Sequence, residues 1–244
     1  KIDDTQIGSI KGVLSVQNFQ PLVDHNDKLK KAVEKAAAEV DKDNKPFDVK
    51  RIKYAQVGAE EVMVLSYTSG TSGFSKGVLL PHRSIWSNVL FAHDNFDIHP
   101  GDRIVSFLPL AHAYGCLFEF LWPMTEGCHI TFLSRTPSPQ IITEAFRTVK
   151  PKLILSVPLI LEKIFKTRIA PQLERPGLKF VLKTPIANKL VYNKIRKALY
   201  DTFGGEFQEM IIGGAALNKD VEDFLKKIEF PITVGYGMTE CGPL

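Results

Sequence analysis

Residues 67 to 78 read YTSGTSGFSKGV, and in this stretch three glycines (Gly70, Gly73, Gly77) and five hydroxyl side chains (Thr68, Ser69, Thr71, Ser72, Ser75) surround one lysine, Lys76. These residue types suit one ligand chemistry. Glycines let the backbone come close to an anion and turn its N–H groups toward it, and hydroxyls donate further hydrogen bonds to the oxygens. Lys76 adds a mobile cation. The combination predicts a cradle for the phosphates of a nucleoside triphosphate. It is not a Walker loop, which requires Gly directly before the Lys and Ser or Thr directly after it; here Lys76 stands between Ser75 and Gly77. Gly and Ser also make linkers, but this stretch follows the buried-type run VMVLSY and precedes a helical pattern that starts near His82.

The elements that must position such a loop are visible in the hydropathy pattern. Short apolar runs at 62–67, 103–108, 129–133, 152–157, 209–213 and 232–236 read as strands. They alternate with helical patterns near 82–95, 114–125, 138–149, 158–170, 187–203 and 218–228. Alternation of this kind predicts an α/β fold, a layered domain whose largely parallel sheet is flanked by helices. Before it, Leu29, Val33, Ala36, Ala37 and Val40 recur every three to four residues over 27–42 and predict an amphipathic helix. The polar stretch DKDNKPFD then separates that helix from the rest.

Composition excludes several function classes. With 44% hydrophobic and 24% charged residues, the chain is too apolar for disorder. A net charge of +4 is too small to imply nucleic acid by itself. The charge is unevenly spread: from Lys163 to Lys197 there are ten basic residues and a single acid, Glu174, interleaved with apolar side chains. Such a stretch is either a solvated face or a patch for an anionic membrane surface. Cys116, Cys128 and Cys241 form no CxxC pair and are odd in number, so neither a zinc site nor a disulfide framework is signalled, and a reducing, cytoplasmic setting fits. No apolar run approaches the ~20 residues that span a bilayer. The chain lacks an initiator Met and stops at CGPL just after a motif, so it reads as a fragment.

YTSGTSGFSKGV resembles the phosphate-loop signature of the adenylate-forming superfamily, which includes acyl-CoA synthetases, luciferase and the adenylation domains of peptide synthetases. The usual pattern is YTSGTTGxPKG; Ser72 and Ser75 replace its Thr and Pro. The first change keeps a hydroxyl, and the second removes a fixed backbone angle. Tyr236 to Glu240, YGMTE, resembles the next signature of that family. The resemblance implies that Tyr236 packs near adenine, that Gly237 and Met238 belong to the nucleotide site, that Thr239 meets the α-phosphate, and that Glu240 helps hold magnesium. A single carboxylate completed by substrate phosphates is an ordinary Mg²⁺ arrangement. IIGGAALN, 211 to 218, is similar to the segment lining the adenine and ribose pocket; Gly213, Gly214 and Ala215 are small enough for a purine to lie against, and Asn218 is a helix cap. LPLAHAYG, 108 to 115, resembles the segment in which an aromatic or His meets the reacting carboxylate, a position held by His112.

SVPLILEKIFKTRI (156 to 169) and NKLVYNKIRKAL look like long-chain fatty acyl-CoA synthetases, except that Leu159 and Ile160 stand where that group has Arg and an apolar residue. The implied chemistry is attack of a fatty-acid carboxylate on ATP to give an acyl-adenylate, then thioester formation with coenzyme A. The catalytic set would be Lys76, His112, Thr239 and Glu240. Thr68, Ser69, Gly70, Thr71, Ser72 and Gly73 would join Lys76 in binding the nucleotide. Residues 1–60 are expected to be a partial leading segment of the N-terminal domain and 61–244 its ATP- and acyl-binding core. The small C-terminal domain of the family is expected to lie outside this chain. Peripheral contact with the inner face of a membrane through 163–197 is a further expectation. A medium-chain or aryl-acid ligase, an acyl-AMP ligase and a non-catalytic nucleotide or lipid binder remain open alternatives.

Overall fold

The computed structural model describes residues 12–15, 17, 18, 20–24, 27–42, 50, 54–69, 75–176 and 185–244. The chain divides into two compact units, Lys1–Gln56 and Val57–Leu244. In the first, β1 (Gly12–Leu14) pairs antiparallel with β2 (Pro21–Asp24), and α1 (Lys28–Lys42) follows. The Asp24 carboxylate accepts from the N–H groups of Leu29 and Lys30 at 3.1 and 2.8 Å, satisfying two donors that a helix start leaves unpaired. The apolar spacing predicts this helix but gives no sign of the hairpin before it.

The second unit begins with an antiparallel hairpin of β3 (Val62–Ser69) and β4 (Ser75–Pro81). Tyr67 faces Gly77, Thr68 faces Lys76 and Ser69 faces Ser75. The stretch expected to be one loop from Tyr67 to Val78 is therefore largely strand, and Lys76 lies on β4. The reason is the aliphatic run Val78, Leu79 and Leu80, which pairs with Ser66, Leu65 and Val64 and carries the ladder toward the tip. Residues 70–74, which include Gly70, Thr71, Ser72 and Gly73, lie outside the described residues. Directly after β4 comes α2 (His82–Asn95), which buries Ile85, Asn88, Val89 and Ala92 along one face.

The remaining strands are parallel, as the alternation predicts. β5 (Arg103–Ser106) pairs with β6 (His129–Phe132). β7 (Leu153–Ser156), β8 (Glu209–Ile212) and β9 (Ile232–Val234) pair in that order. The two sheets meet where the Lys152 N–H donates to the Arg103 carbonyl at 2.8 Å, which sets β7 beside β5. Every residue of β7 is buried, as are the last three of β5, the pattern of parallel strands covered on both faces.

Helices appear where their periodicity places them, with two local departures. Ala113 to Thr125 is α3 (Ala113–Gly115), a π-helical turn (Cys116–Leu121) and α4 (Trp122–Thr125). Likewise α6 (Pro158–Ile164) passes through a π-helical turn (Phe165–Ile169) into α7 (Ala170–Leu173). α5 (Pro139–Val149), α8 (Pro185–Thr202) and α9 (Lys219–Lys227) are regular. Aromatic side chains join these layers: the Phe146 ring centroid lies 5.7 Å from Phe107 and 5.9 Å from Phe203. On α8, Lys189, Lys194 and Lys197 are exposed. Among the described residues no helix is long and apolar enough to cross a membrane.

Asn218 caps α9 as its position suggests. Its side-chain oxygen accepts from the N–H groups of Asp220 and Val221 at 3.0 and 3.3 Å, while its own N–H donates to Glu162 on α6 at 2.8 Å. Asn218→Ala removes the cap and keeps the backbone bond, so it should lower the unfolding free energy by about 1 kcal/mol in urea titration.

Candidate functional site

Because the core strands are parallel, the segments that leave β5, β7, β8 and β9 all emerge at one edge. A cavity of about 370 Å³ lies there. Its walls are mostly apolar and include Leu108, Phe118, Leu155, Val157 and Ile211. Into it the fold brings His112 from the segment after β5, Gly213 and Gly214 after β8, and Tyr236, Gly237, Met238 and Thr239 after β9. Seven of the residues singled out in the sequence thus share one cavity although they come from three separate strand ends. Thr68, Ser69, Lys76, Ala215 and Glu240 are not part of its lining. Lys76 and Glu240 are exposed, and Tyr236 stands 85% exposed, its ring open for a planar group to stack on.

Individual hydrogen bonds account for this arrangement. His112 immediately precedes α3; its N–H donates to the Pro109 carbonyl at 3.0 Å and its carbonyl accepts from Cys116 at 2.9 Å. Two positions on, Tyr114 spans the ends of two strands, donating its hydroxyl to the Ile211 carbonyl at 3.2 Å, with the Ser156 carbonyl at 3.5 Å. Burial pushes the phenol well above its ordinary pKa, so the group stays a neutral donor. Its ring lies directly beneath Gly213, where an added Cβ would come within 2.9 Å of Cζ and 3.1 Å of Cε2. Only glycine fits there.

The final segment is fastened to α2. Thr239–Cys241 forms a 3₁₀ turn, and the Cys241 carbonyl accepts from the Ser84 hydroxyl at 3.2 Å and from Asn88 Nδ2 at 3.3 Å. The Asn88 side-chain oxygen accepts from the Leu244 N–H at 2.8 Å. Asn88 is only 2% exposed, so these bonds are made out of competition with water. Glu119 is likewise buried: its Oε2 accepts from the N–H groups of Phe107 and Leu108 at 2.9 and 2.8 Å.

Sequence reasoning misses Tyr114, Asn88 and Glu119. Tyr114 had a signal, being an aromatic residue two positions after His112 in a strand-ending segment. Asn88 and Glu119 had none, because a polar residue in a helical pattern is ordinarily taken for the solvated face. Among the described residues no group of three or more His, Cys, Asp or Glu could hold a metal ion by itself. Glu240 as a lone carboxylate is compatible with Mg²⁺ only where phosphates supply other ligands.

Comparison with known proteins agrees with this geometry. The chain belongs to the family described as AMP-binding enzyme, which its residues 3–244 match. Long-chain-fatty-acid–CoA ligase 4 of Saccharomyces cerevisiae is 30% identical over 200 residues, covering 74% of this chain and 28% of the yeast protein. Long chain acyl-CoA synthetase 7, peroxisomal, of Arabidopsis thaliana is 31% identical over 200 residues, covering 74% of this chain and 27% of the plant protein. The chain therefore spans under a third of the length of these relatives. Among solved structures, the A-PCP didomain of carboxylic acid reductase from Segniliparus rugosus, in complex with AMP, superposes with a TM-score of 0.61 at 23% identity, over 89% of this chain and 32% of that one. The N-terminal domain of FACL13 from Mycobacterium tuberculosis gives 0.55 at 19% identity, over 78% of this chain and 40% of that one. At these identities the structures establish the fold: an α/β arrangement with parallel sheets flanked by helices, as in the N-terminal domains of adenylate-forming enzymes.

The packing of Tyr114 against Gly213 can be isolated by a double-mutant cycle. Gly213→Ala overpacks the contact and should cost about 2 kcal/mol of unfolding free energy. In a Tyr114→Ala background the same change should cost at least ~1 kcal/mol less. Equal costs in the two backgrounds would show that the contact is not what excludes a side chain at 213.

Proposed function

We propose that this chain is the ATP- and acyl-binding part of a long-chain fatty acid–CoA ligase. The observation that carries the reading is the convergence of His112, Gly213, Gly214, Tyr236 and Thr239 on one largely apolar cavity at the carboxyl edge of a parallel sheet. In open α/β sheets, ligands bind at that edge. The relatives are long-chain fatty acid ligases by name, and the apolar walls suit an acyl chain.

In this reading a fatty-acid carboxylate attacks the α-phosphorus of ATP, pyrophosphate leaves, and coenzyme A thiolate later displaces AMP from the acyl-adenylate. Two anions must approach each other, so the barrier is largely electrostatic. Thr68, Ser69, Gly70, Thr71, Ser72, Gly73 and Lys76 take the phosphates; Lys76 on β4 pairs with Thr68 on β3. Tyr236 stacks on adenine, with Gly213, Gly214 and Ala215 passing beneath it and Gly237 and Met238 beside it. Thr239 meets the α-phosphate. His112 orients the carboxylate and is not needed as a base, because a carboxylate is already ionised at neutral pH. Mg²⁺ entering with ATP supplies positive charge to the phosphates, and Glu240 is the residue that would hold it. The apolar cavity receives the acyl chain. Lys189, Lys194 and Lys197 would let a cytoplasmic enzyme rest against an anionic membrane surface, where its substrate partitions.

The full-length protein with ATP, Mg²⁺, coenzyme A and acids of graded length should release AMP best with long-chain fatty acids. Equal or greater release with short, medium-chain or aryl acids would overturn the substrate class. Glu240→Ala should slow acyl-adenylate formation at least ~100-fold at fixed Mg²⁺; undiminished ATP–pyrophosphate exchange would show that Glu240 does not hold the metal.

A further inference from the structure

Glu119 is fully buried, an uncommon state for a carboxylate, and among the described residues no basic side chain forms an ion pair with it. It sits in the middle of the π-helical turn Cys116–Leu121, a local widening of the helix of the kind found at functional sites. Its neighbours on that turn, Leu117 and Phe118, are packed into the core, and Phe118 reaches the cavity. Both backbone bonds that Glu119 accepts come from one place, the consecutive N–H groups of Phe107 and Leu108 where the chain leaves β5. Those two donors have left the strand ladder and point inward, so a buried acceptor is required. The other oxygen, Oε1, makes no hydrogen bond of acceptable geometry among the described residues.

Leu108, Pro109 and His112 follow within a few residues and all line the cavity. We propose that Glu119 is a positioning residue: by accepting from Phe107 and Leu108 it sets the path on which Leu108, Pro109 and His112 enter the cavity, and so where the reacting carboxylate is held. Burial pushes its carboxyl up to about 7, the two backbone bonds and the nearby Ser106 hydroxyl pulling the other way. A leucine would fill the same volume without leaving a charge or an orphaned oxygen in the core; what it would not supply is the acceptor.

The kinetic part rests on the ligase reading above, whereas the structural part does not, and two measurements separate them. Backbone hydrogen exchange reads the bonds themselves. Glu119→Ala and Glu119→Leu should speed exchange at the Phe107 and Leu108 amides at least ~10-fold relative to the adjacent β5 amides, and Glu119→Gln, which keeps a carbonyl oxygen, should not. Unchanged protection in the Ala and Leu variants would overturn the proposal whatever the enzyme's activity. In the full-length protein, misplacing the carboxylate site should lower kcat/KM for the acid in ATP–pyrophosphate exchange by ~10²-fold in the Ala and Leu variants, with KM for ATP changed little and Gln restoring the rate to within ~3-fold.

Leu117→Ala removes a fully buried side chain two residues away that does not line the cavity, and it serves as the control for lost packing. It should leave kcat/KM within ~3-fold at temperatures below its own unfolding. If Leu117→Ala and Glu119→Ala depress kcat/KM alike, or if Gln fails to rescue, the residue is merely structural. Should the Ala variant not fold, Glu119→Asp, which withdraws the acceptor by one methylene, decides the question through the same two readouts. A wild-type protein with no exchange activity would sink the ligase reading alone and leave the hydrogen-exchange test intact.

Discussion

Parallel alignment of the core strands is the constraint on which the site depends. Strands that run the same way release their following segments at the same edge, so residues far apart in the chain meet without any of them being neighbours in sequence. In this fold that edge collects the ends of β5, β7, β8 and β9. What keeps the alignment is the burial of nearly every side chain of β5, β7 and β8, together with the backbone link between Lys152 and Arg103 that ties the two sheets. A parallel sheet must be covered on both faces, and the aromatic contacts of Phe146 with Phe107 and Phe203 belong to that cover.

Strand ends alone would leave the segments free to wander, and three polar side chains restrain them. Tyr114 joins the ends of β7 and β8 and occupies the space beneath Gly213. Asn88 fastens the 3₁₀ turn and the residues after it to α2. Glu119 holds the exit from β5. Each works from a buried or partly buried position, where a hydrogen bond meets little competition from water and an unmade one is costly. The cavity between them can then stay apolar while its rim remains polar.

The elements whose faces repeat were legible in the sequence. Six apolar runs and seven helical patterns lie where the strands and helices are, because core burial imposes the spacing of apolar residues. β4 was not, because its first residues, Ser75, Lys76 and Gly77, carry loop-type side chains and pair only because Val78, Leu79 and Leu80 anchor the ladder behind them. Neither were the π-helical turns, which insert into a helix without disturbing its overall pattern. The site was legible where residue type alone speaks, as with the glycines at 213 and 214, and illegible where tertiary burial changes a residue's meaning. Glu119 looks like an outward-facing charge until the fold turns it inward.

We propose that one cavity at the carboxyl edge receives both halves of an acyl-adenylate. The most direct measurement is a crystal structure of the full-length protein with a hydrolysis-resistant long-chain acyl-adenylate analogue. Adenine should lie between Tyr236 and the 213–215 segment, the phosphate surrogate between Thr239 and the hairpin that carries Lys76, and the acyl chain inside the cavity past His112. An analogue bound elsewhere, or one whose acyl chain lies outside the cavity, would contradict the claim.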